Sequence, residues 1–177
     1  RRQRQMCIRD SVYSMDGTIC ALPDLIKVLE RHAPHRNTRH ILVDEAHGAG
    51  VYGQGGRGVC NALHCHVSAR LVTFGKAFGC AGAVLLVPVL WREYLLNYAR
   101  PLIYSTALPP SQAAAIDVVI SAWERGEMEA AVQMLHTRVA ELYTALGLRN
   151  DAALPPAPIA VSYTHLQPTR LRRISYA

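Results

Sequence analysis

The chain has 177 residues, half of them apolar, and a formal net charge of +6, enough for one compact domain at roughly 100–200 residues per domain. So basic a balance would suggest nucleic acid or an anionic membrane as partner, yet no basic stripe with interleaved aromatics runs through the middle of the chain. No run approaches the ~18 apolar residues of a membrane span, residues 1–10 lack the apolar core of a signal peptide, and Cys20, Cys60, Cys65 and Cys80 show no Cys-x-x-Cys spacing. A soluble cytoplasmic protein with reduced thiols and no metal is expected.

Residues 1–11 come first and are set aside. Met6-Cys7-Ile8-Arg9-Asp10-Ser11, and near the other end Val161-Ser162-Tyr163-Thr164-His165-Leu166, resemble translations, in opposite orientations, of one short transposon-end adapter used in sequencing libraries. Residues 1–11 and 161–177 are therefore expected to be non-native scars that carry no element of the fold. They hold seven arginines against Asp10 alone, which accounts for the whole net charge and leaves the rest of the chain neutral.

Pro23 stands where a first helical turn tolerates it, and Leu22, Leu25, Ile26, Val28 and Leu29 predict a helix to about His32. A polar connector at 35–40 leads into an apolar strand at 41–44. Gly53-Gln54-Gly55-Gly56-Arg57-Gly58 lacks the Lys-Ser/Thr ending of a nucleotide loop and reads as a tight turn. His64-Cys65-His66 puts only two histidines on one side of an extended segment, with no further ligand cluster. Residues 70–74 and 83–87 read as further short strands, apolar on both faces as a covered sheet requires. Helices follow at 88–98, at 110–125 and from Glu127, the last with Met128, Ala131, Val132, Leu135, Val139, Leu142 and Leu146 on one stripe and Gly147 as its stop. Trp91, Tyr94, Tyr98 and Tyr104 read as packing and interface residues. Leu154-Pro155-Pro156-Ala157-Pro158 marks 147–160 as a linker. Alternating strands and helices make this an α/β chain.

Two ends of apolar runs carry candidate chemistry. Lys76 follows Leu71-Val72-Thr73-Phe74 and stands between Gly75 and Gly79, while Asp44 ends Ile41-Leu42-Val43. On placement alone Lys76 is either a reactive amine or a surface lysine on a loop, and Asp44 either holds a cationic partner or caps a turn. A Schiff-base lysine with a carboxylate for a pyridinium nitrogen is the protein's half of pyridoxal phosphate chemistry.

Four ordered blocks carry a resemblance. They are Tyr13-Ser14-Met15-Asp16-Gly17 with Leu22-Pro23; Val43-Asp44-Glu45-Ala46-His47-Gly48-Ala49-Gly50-Val51-Tyr52-Gly53 with Gly56-Arg57-Gly58; Thr73-Phe74-Gly75-Lys76-Ala77; and Asn97-Tyr98-Ala99-Arg100-Pro101 with Tyr104-Ser105-Thr106-Ala107-Leu108-Pro109-Pro110. The stretch from Val12 to about Ala160 resembles the α-oxoamine synthase family of fold-type-I pyridoxal-phosphate enzymes. The resemblance implies an aspartate-aminotransferase-like large domain, a mainly parallel sheet flanked by helices, with 12–146 as part of that cofactor-binding domain and 147–160 leading toward a smaller one. It implies pyridoxal 5'-phosphate as cofactor, acyl-CoA and a small amino acid as substrates, a homodimer, and no nucleic-acid or membrane partner. The implied reaction joins the two substrates with loss of carbon dioxide and coenzyme A; alanine- and glycine-using members share every block.

The same resemblance implies the residue roles. Lys76 would hold the cofactor and later act as general base, Asp44 would face the ring nitrogen, and His47 the phenolic oxygen and the thioester carbonyl. Ser14 would touch the ring, Thr73 the phosphate, and Thr106 the phosphate of the neighbouring subunit. For Ser14 and Thr73 a backbone cap is the other reading, and for His47 a satisfied turn histidine. Cys80-Ala81 stands where the family often has two serines.

Overall fold

A computed structural model describes residues 5–32, 39–148, 150 and 153–159. Four strands, β1 (Gln5–Asp10), β2 (Arg39–Asp44), β3 (Ala69–Thr73) and β4 (Ala83–Leu86), form one sheet in the order β1-β2-β3-β4. β1, β2 and β3 run parallel and β4 antiparallel to β3, so the sheet is mixed and mostly parallel. Parallel neighbours need a crossover. Between β1 and β2 lies α1 (Leu22–His32), and between β2 and β3 lie a 3-10 turn at Gln54–Gly56 and α2 (Val59–Ala62). α1 places Pro23 and Asp24 in its first turn and Arg31 and His32 in its last, charges that suit the helix dipole at both ends.

The expectation that residues 1–11 hold no element of the fold is overturned. All six residues of β1 pair with β2, from Gln5 opposite Arg39 to Asp10 opposite Asp44. The sequence lacks an inward-outward alternation there, and Met6 and Ile8 are exposed. Pairing is carried by main-chain N–H and C=O groups, which every residue of this strand supplies, so an edge position needs no amphipathic pattern. Residues 161–177 and most of the 35–40 connector lie outside the described residues.

Two cores form. Val12, Leu22, Ile41, Val43, Val51, Tyr52, Val59 and Cys60 bury one, joined by Ala157; Ala49, Phe74, Phe78, Cys80 and Trp123 bury the other. The described part of the expected linker is therefore packed: Ala157 is buried, and the Tyr52 hydroxyl donates to Pro155 O at 3.0 Å. Trp123 belongs to α5 (Pro110–Glu124), and α6 (Glu129–Ala145) follows, with only Val139 of its predicted stripe buried. Gly53 to Gly58 folds into the expected turn, closed by Gly50 N–H to Gly56 O at 2.8 Å and Gly58 N–H to Tyr52 O at 2.7 Å.

The expected covered sheet holds only in part. Every residue of β4 is exposed, and neither α3 (Val89–Tyr98) nor α4 (Arg100–Ile103) buries a residue. Leu90 at 83% and Tyr104 at 79% exposure show how fully this apolar face is turned outward. Among the described residues no helix is long and apolar enough to cross a membrane.

Candidate active site

Lys76 sits in the loop after β3. Phe74 N–H donates to Gly82 O at 2.9 Å and Cys80 N–H to Phe74 O at 2.8 Å, closing the loop at its base. Beneath it the Phe74 and Phe78 rings meet edge to face, and Phe78 meets Trp123 of α5 with centroids 5.5 Å apart. These rings anchor the loop and leave the Lys76 side chain exposed above them.

The turn after β2 brings up the second group. Asp44 Oδ1 accepts the Ala46 N–H at 2.8 Å, and Glu45 O accepts the Ala49 N–H at 2.8 Å. His47 rides on this closed turn, and its Nε2 lies 2.7 Å from Lys76 Nζ. Two proton arrangements satisfy that distance: the ammonium donates to a bare Nε2, or an Nε2–H donates to a neutral amine. Burial first, and the positive charge of Lys76 second, hold the His47 pKa below its ordinary value, so the neutral imidazole is the favoured partner.

A polar cleft of about 210 Å³ opens here, lined by Asp10, Val12, Ser14, Asp44, Ala46, His47 and Lys76. These residues lie at or just beyond the carboxyl ends of β1, β2 and β3, where open α/β sheets bind ligands. A second recess of about 200 Å³ adjoins it through Ala46, His47 and Lys76 and runs toward Leu135, Pro158 and Ile159. Among the described residues two buried hydroxyls on segments that reach the cleft have no hydrogen-bond partner, Ser11 Oγ and Thr73 Oγ1. Leaving such a group unsatisfied costs about 1–3 kcal/mol. The amine of Lys76, the carboxylate of Asp44 and the imidazole of His47, with Ser14 beside them, suit an aldehyde cofactor with a ring nitrogen.

The pattern of aminotransferase class I and II matches residues 1–173. The chain belongs to that family. An 8-amino-7-oxononanoate synthase of Yersinia pestis is 39% identical over 163 residues, which is 92% of this chain and 39% of that protein; one of Erwinia tasmaniensis is 43% identical over 122 residues, 69% of this chain and 30% of that protein. Among solved structures, the 8-amino-7-oxononanoate synthase of Francisella tularensis aligns with a TM-score of 0.68 at 30% identity, covering 88% of this chain and 45% of that one. A serine palmitoyltransferase of Sphingomonas wittichii aligns at 0.71 and 28% identity, over 86% of this chain and 38% of that one. The chain thus spans less than half the length of each of these relatives.

In this aminotransferase class I and II chain the structure brings Lys76, His47, Asp44 and Ser14 to one cleft. Thr73 is close in sequence and orphaned, but does not line it. Thr106 is exposed in the loop between α4 and α5 and does not line the cleft. Two residues went unnoticed in the sequence. Asp10 lines the cleft opposite Asp44 and was hidden by the setting aside of 1–11. Glu45 is fully buried and accepts the Val59 N–H at 3.0 Å and the Cys60 N–H at 2.7 Å; the signal available was an acidic residue directly after a buried strand, before two glycines that leave it room. Among the described residues no group of three His, Cys, Asp or Glu is placed to hold a metal ion.

Proposed function

We propose that the cleft holds pyridoxal 5'-phosphate and that the full-length protein is an acyl-CoA:amino acid C-acyltransferase, joining L-alanine and pimeloyl-CoA to give 8-amino-7-oxononanoate, carbon dioxide and coenzyme A. The observation that carries the reading is the 2.7 Å contact of Lys76 Nζ with His47 Nε2 in the cleft that Asp44 also lines. When bound, the cofactor supplies an electron sink for the carbanion left by loss of the amino acid's α-proton. Lys76 holds the cofactor and, once displaced, takes that proton on Nζ. Asp44, oriented by the Ala46 N–H, keeps the ring nitrogen protonated. Thr73 is assigned to the phosphate, Ser14 to the ring, and His47 to the phenolic oxygen and the thioester carbonyl. The likeness to 8-amino-7-oxononanoate synthases favours alanine and pimeloyl-CoA over the glycine-using sister synthases.

The outward apolar face of α3 and α4 supports a homodimer in which Thr106 reaches the neighbouring subunit's phosphate. Alone, the 177-residue chain is read as inactive, because its cleft is built from less than half of a relative's length. Residues 1–11 and 161–177 remain, in this reading, translated adapter; amplifying the gene past both ends should replace the two hexamers, and recovering them intact would refute their artificial origin. The test of the cofactor site uses a protein of full family length carrying this segment. Borohydride should trap pyridoxal phosphate on the peptide containing Lys76, and Lys76→Ala should abolish the adduct; an adduct persisting on another lysine would overturn the assignment.

A further inference from the structure

Asp44 and His47 face the cleft, and the residue beside Asp44 faces the other way. Glu45 is 0% exposed, and among the described residues no side-chain cation is bonded to its carboxylate. Its Oε2 accepts the Val59 N–H and its Oε1 the Cys60 N–H, the first two amides of α2. The first turn of any helix leaves such amides without an intrahelical partner. Here one carboxylate answers both. Its own main chain is held as firmly: Glu45 N–H donates to Leu71 O of β3 at 2.8 Å, and Glu45 O accepts from Gly48 at 3.0 Å and Ala49 at 2.8 Å. Room is made by glycine. A Cβ on Gly58 would lie 2.7 Å from Glu45 Cδ, and one on Gly48 would collide with Oε2 and come within 2.7 Å of Ser11 Oγ.

We infer that Glu45 is a positioning residue of the cleft: by clamping the start of α2 from beneath, it fixes the turn that sets His47 against Lys76 and Asp44 toward the ligand. The inference rests on the proposed cofactor site for its consequence, but its geometry is measurable without cofactor. A side chain that must accept twice needs a lone pair on each terminal atom. Glutamine has one carbonyl oxygen, so its amide NH2 must face either the Val59 or the Cys60 N–H, donor against donor, in a site closed to water. The turn can relieve that clash only by moving, and displacement of about 1 Å at a reacting group can lower a rate on the order of 10²-fold.

Val59→Pro tests the clamp from its other end. Val59 is the first residue of α2, where the backbone tolerates proline and the change removes the N–H together with the buried isopropyl group. Glu45→Gln, Val59→Pro and the double variant of the 177-residue chain are compared by the NMR titration of the His47 ring, circular dichroism recording whether each is folded. Glu45→Gln should raise the His47 midpoint toward the ordinary histidine value, as the ring loses its contact with Lys76 and gains water. In the double variant the amide no longer faces the Val59 N–H, so the midpoint should return at least half-way to the parent's. A folded Glu45→Gln with the parent's midpoint would overturn the inference and leave Glu45 a residue of stability alone. Should Glu45→Gln not fold, Val59→Pro carries the test: it too should move the midpoint, and a folded Val59→Pro that titrates as the parent would be equally fatal. Failure of Lys76 to trap pyridoxal phosphate would sink the proposed function and leave these titrations standing. In a protein of full family length, a true positioning role further requires Glu45→Gln to lower kcat on the order of 10²-fold while Lys76 still traps the cofactor.

Discussion

Gly50→Ala should separate the two halves of the site. A Cβ at Gly50 would stand 2.5 Å from the Ala77 methyl, next to Lys76, while Phe78 and Trp123 lie at an ordinary 3.6 Å. Its φ is +77°, a left-handed conformation that costs a residue with a side chain roughly 1–2 kcal/mol. Forcing an extra carbon into a packed contact adds about 1–3 kcal/mol. The sum, about 2–5 kcal/mol, is a large part of the roughly 5–15 kcal/mol that holds a typical domain together. The double variant Gly50→Ala with Ala77→Gly isolates the two terms, since it removes the opposing methyl and leaves the backbone strain. Urea unfolding of both, and of Ala77→Gly alone, should show the double variant regaining about 1–3 kcal/mol over Gly50→Ala. No recovery would mean that the turn and the Lys76 loop do not touch there, and a neutral Gly50→Ala would refute the packing outright.

Further outcomes follow from the same geometry. The His47 ring should titrate below the ~6.5 of free histidine; Lys76→Met should raise the midpoint but leave it under that value, because burial is the larger cause and the lysine the second. A rise to or above ~6.5 would put the lysine first. Because the folded state disfavours the imidazolium, the unfolded chain takes up the proton at higher pH. The stabilisation this group gives is complete above ~6.5 and is lost as pH falls from there through the lower folded value, which pH-dependent urea unfolding of the parent and of His47→Gln can measure. Removing residues 1–10 should lower β-sheet content and the thermal midpoint, since it strips β1 from the edge of β2 and Asp10 from the cleft; a trimmed chain as stable as the whole would show that β1 contributes nothing.

The core strands were legible because their chemistry is local. Ile41-Leu42-Val43 and Leu71-Val72 announce β2 and β3, and the proline starts and glycine stop place α1, α3, α5 and α6 to within one or two residues. β1 was not legible, since an edge strand held by main-chain bonds leaves little mark on side-chain choice, and the hexamer carried a competing reading. Four-residue α4 is too short for any period. Within the site, Lys76 and Asp44 stand out at the ends of apolar runs, but placement left each with two readings, and the family resemblance supplied their roles and that of His47. Glu45 left a fainter mark: its partners are backbone amides that any residue but proline would supply, so only its place after a buried strand and the glycines that make room for it set it apart. Nor does β4 reveal its exposure: apolar residues on both faces say that a surface is meant to be covered, not that the covering is part of the same stretch of chain.

The turn from Gly48 to Tyr52 belongs to both cores: Ala49 packs with Phe74, Phe78 and Trp123, while Val51 and Tyr52 pack with Val43 and Val59. Segments usually open in cooperative units smaller than the whole domain. A segment seated in two such units can be freed only when both let go, or when it tears from one. Amide hydrogen exchange along this turn should therefore be among the slowest in the chain, slower than in α3 or β1, and tied to global unfolding. The bench on which the imidazole sits is then the last part of the protein to come apart, so a loosened periphery can coexist with an intact His47–Lys76 pair.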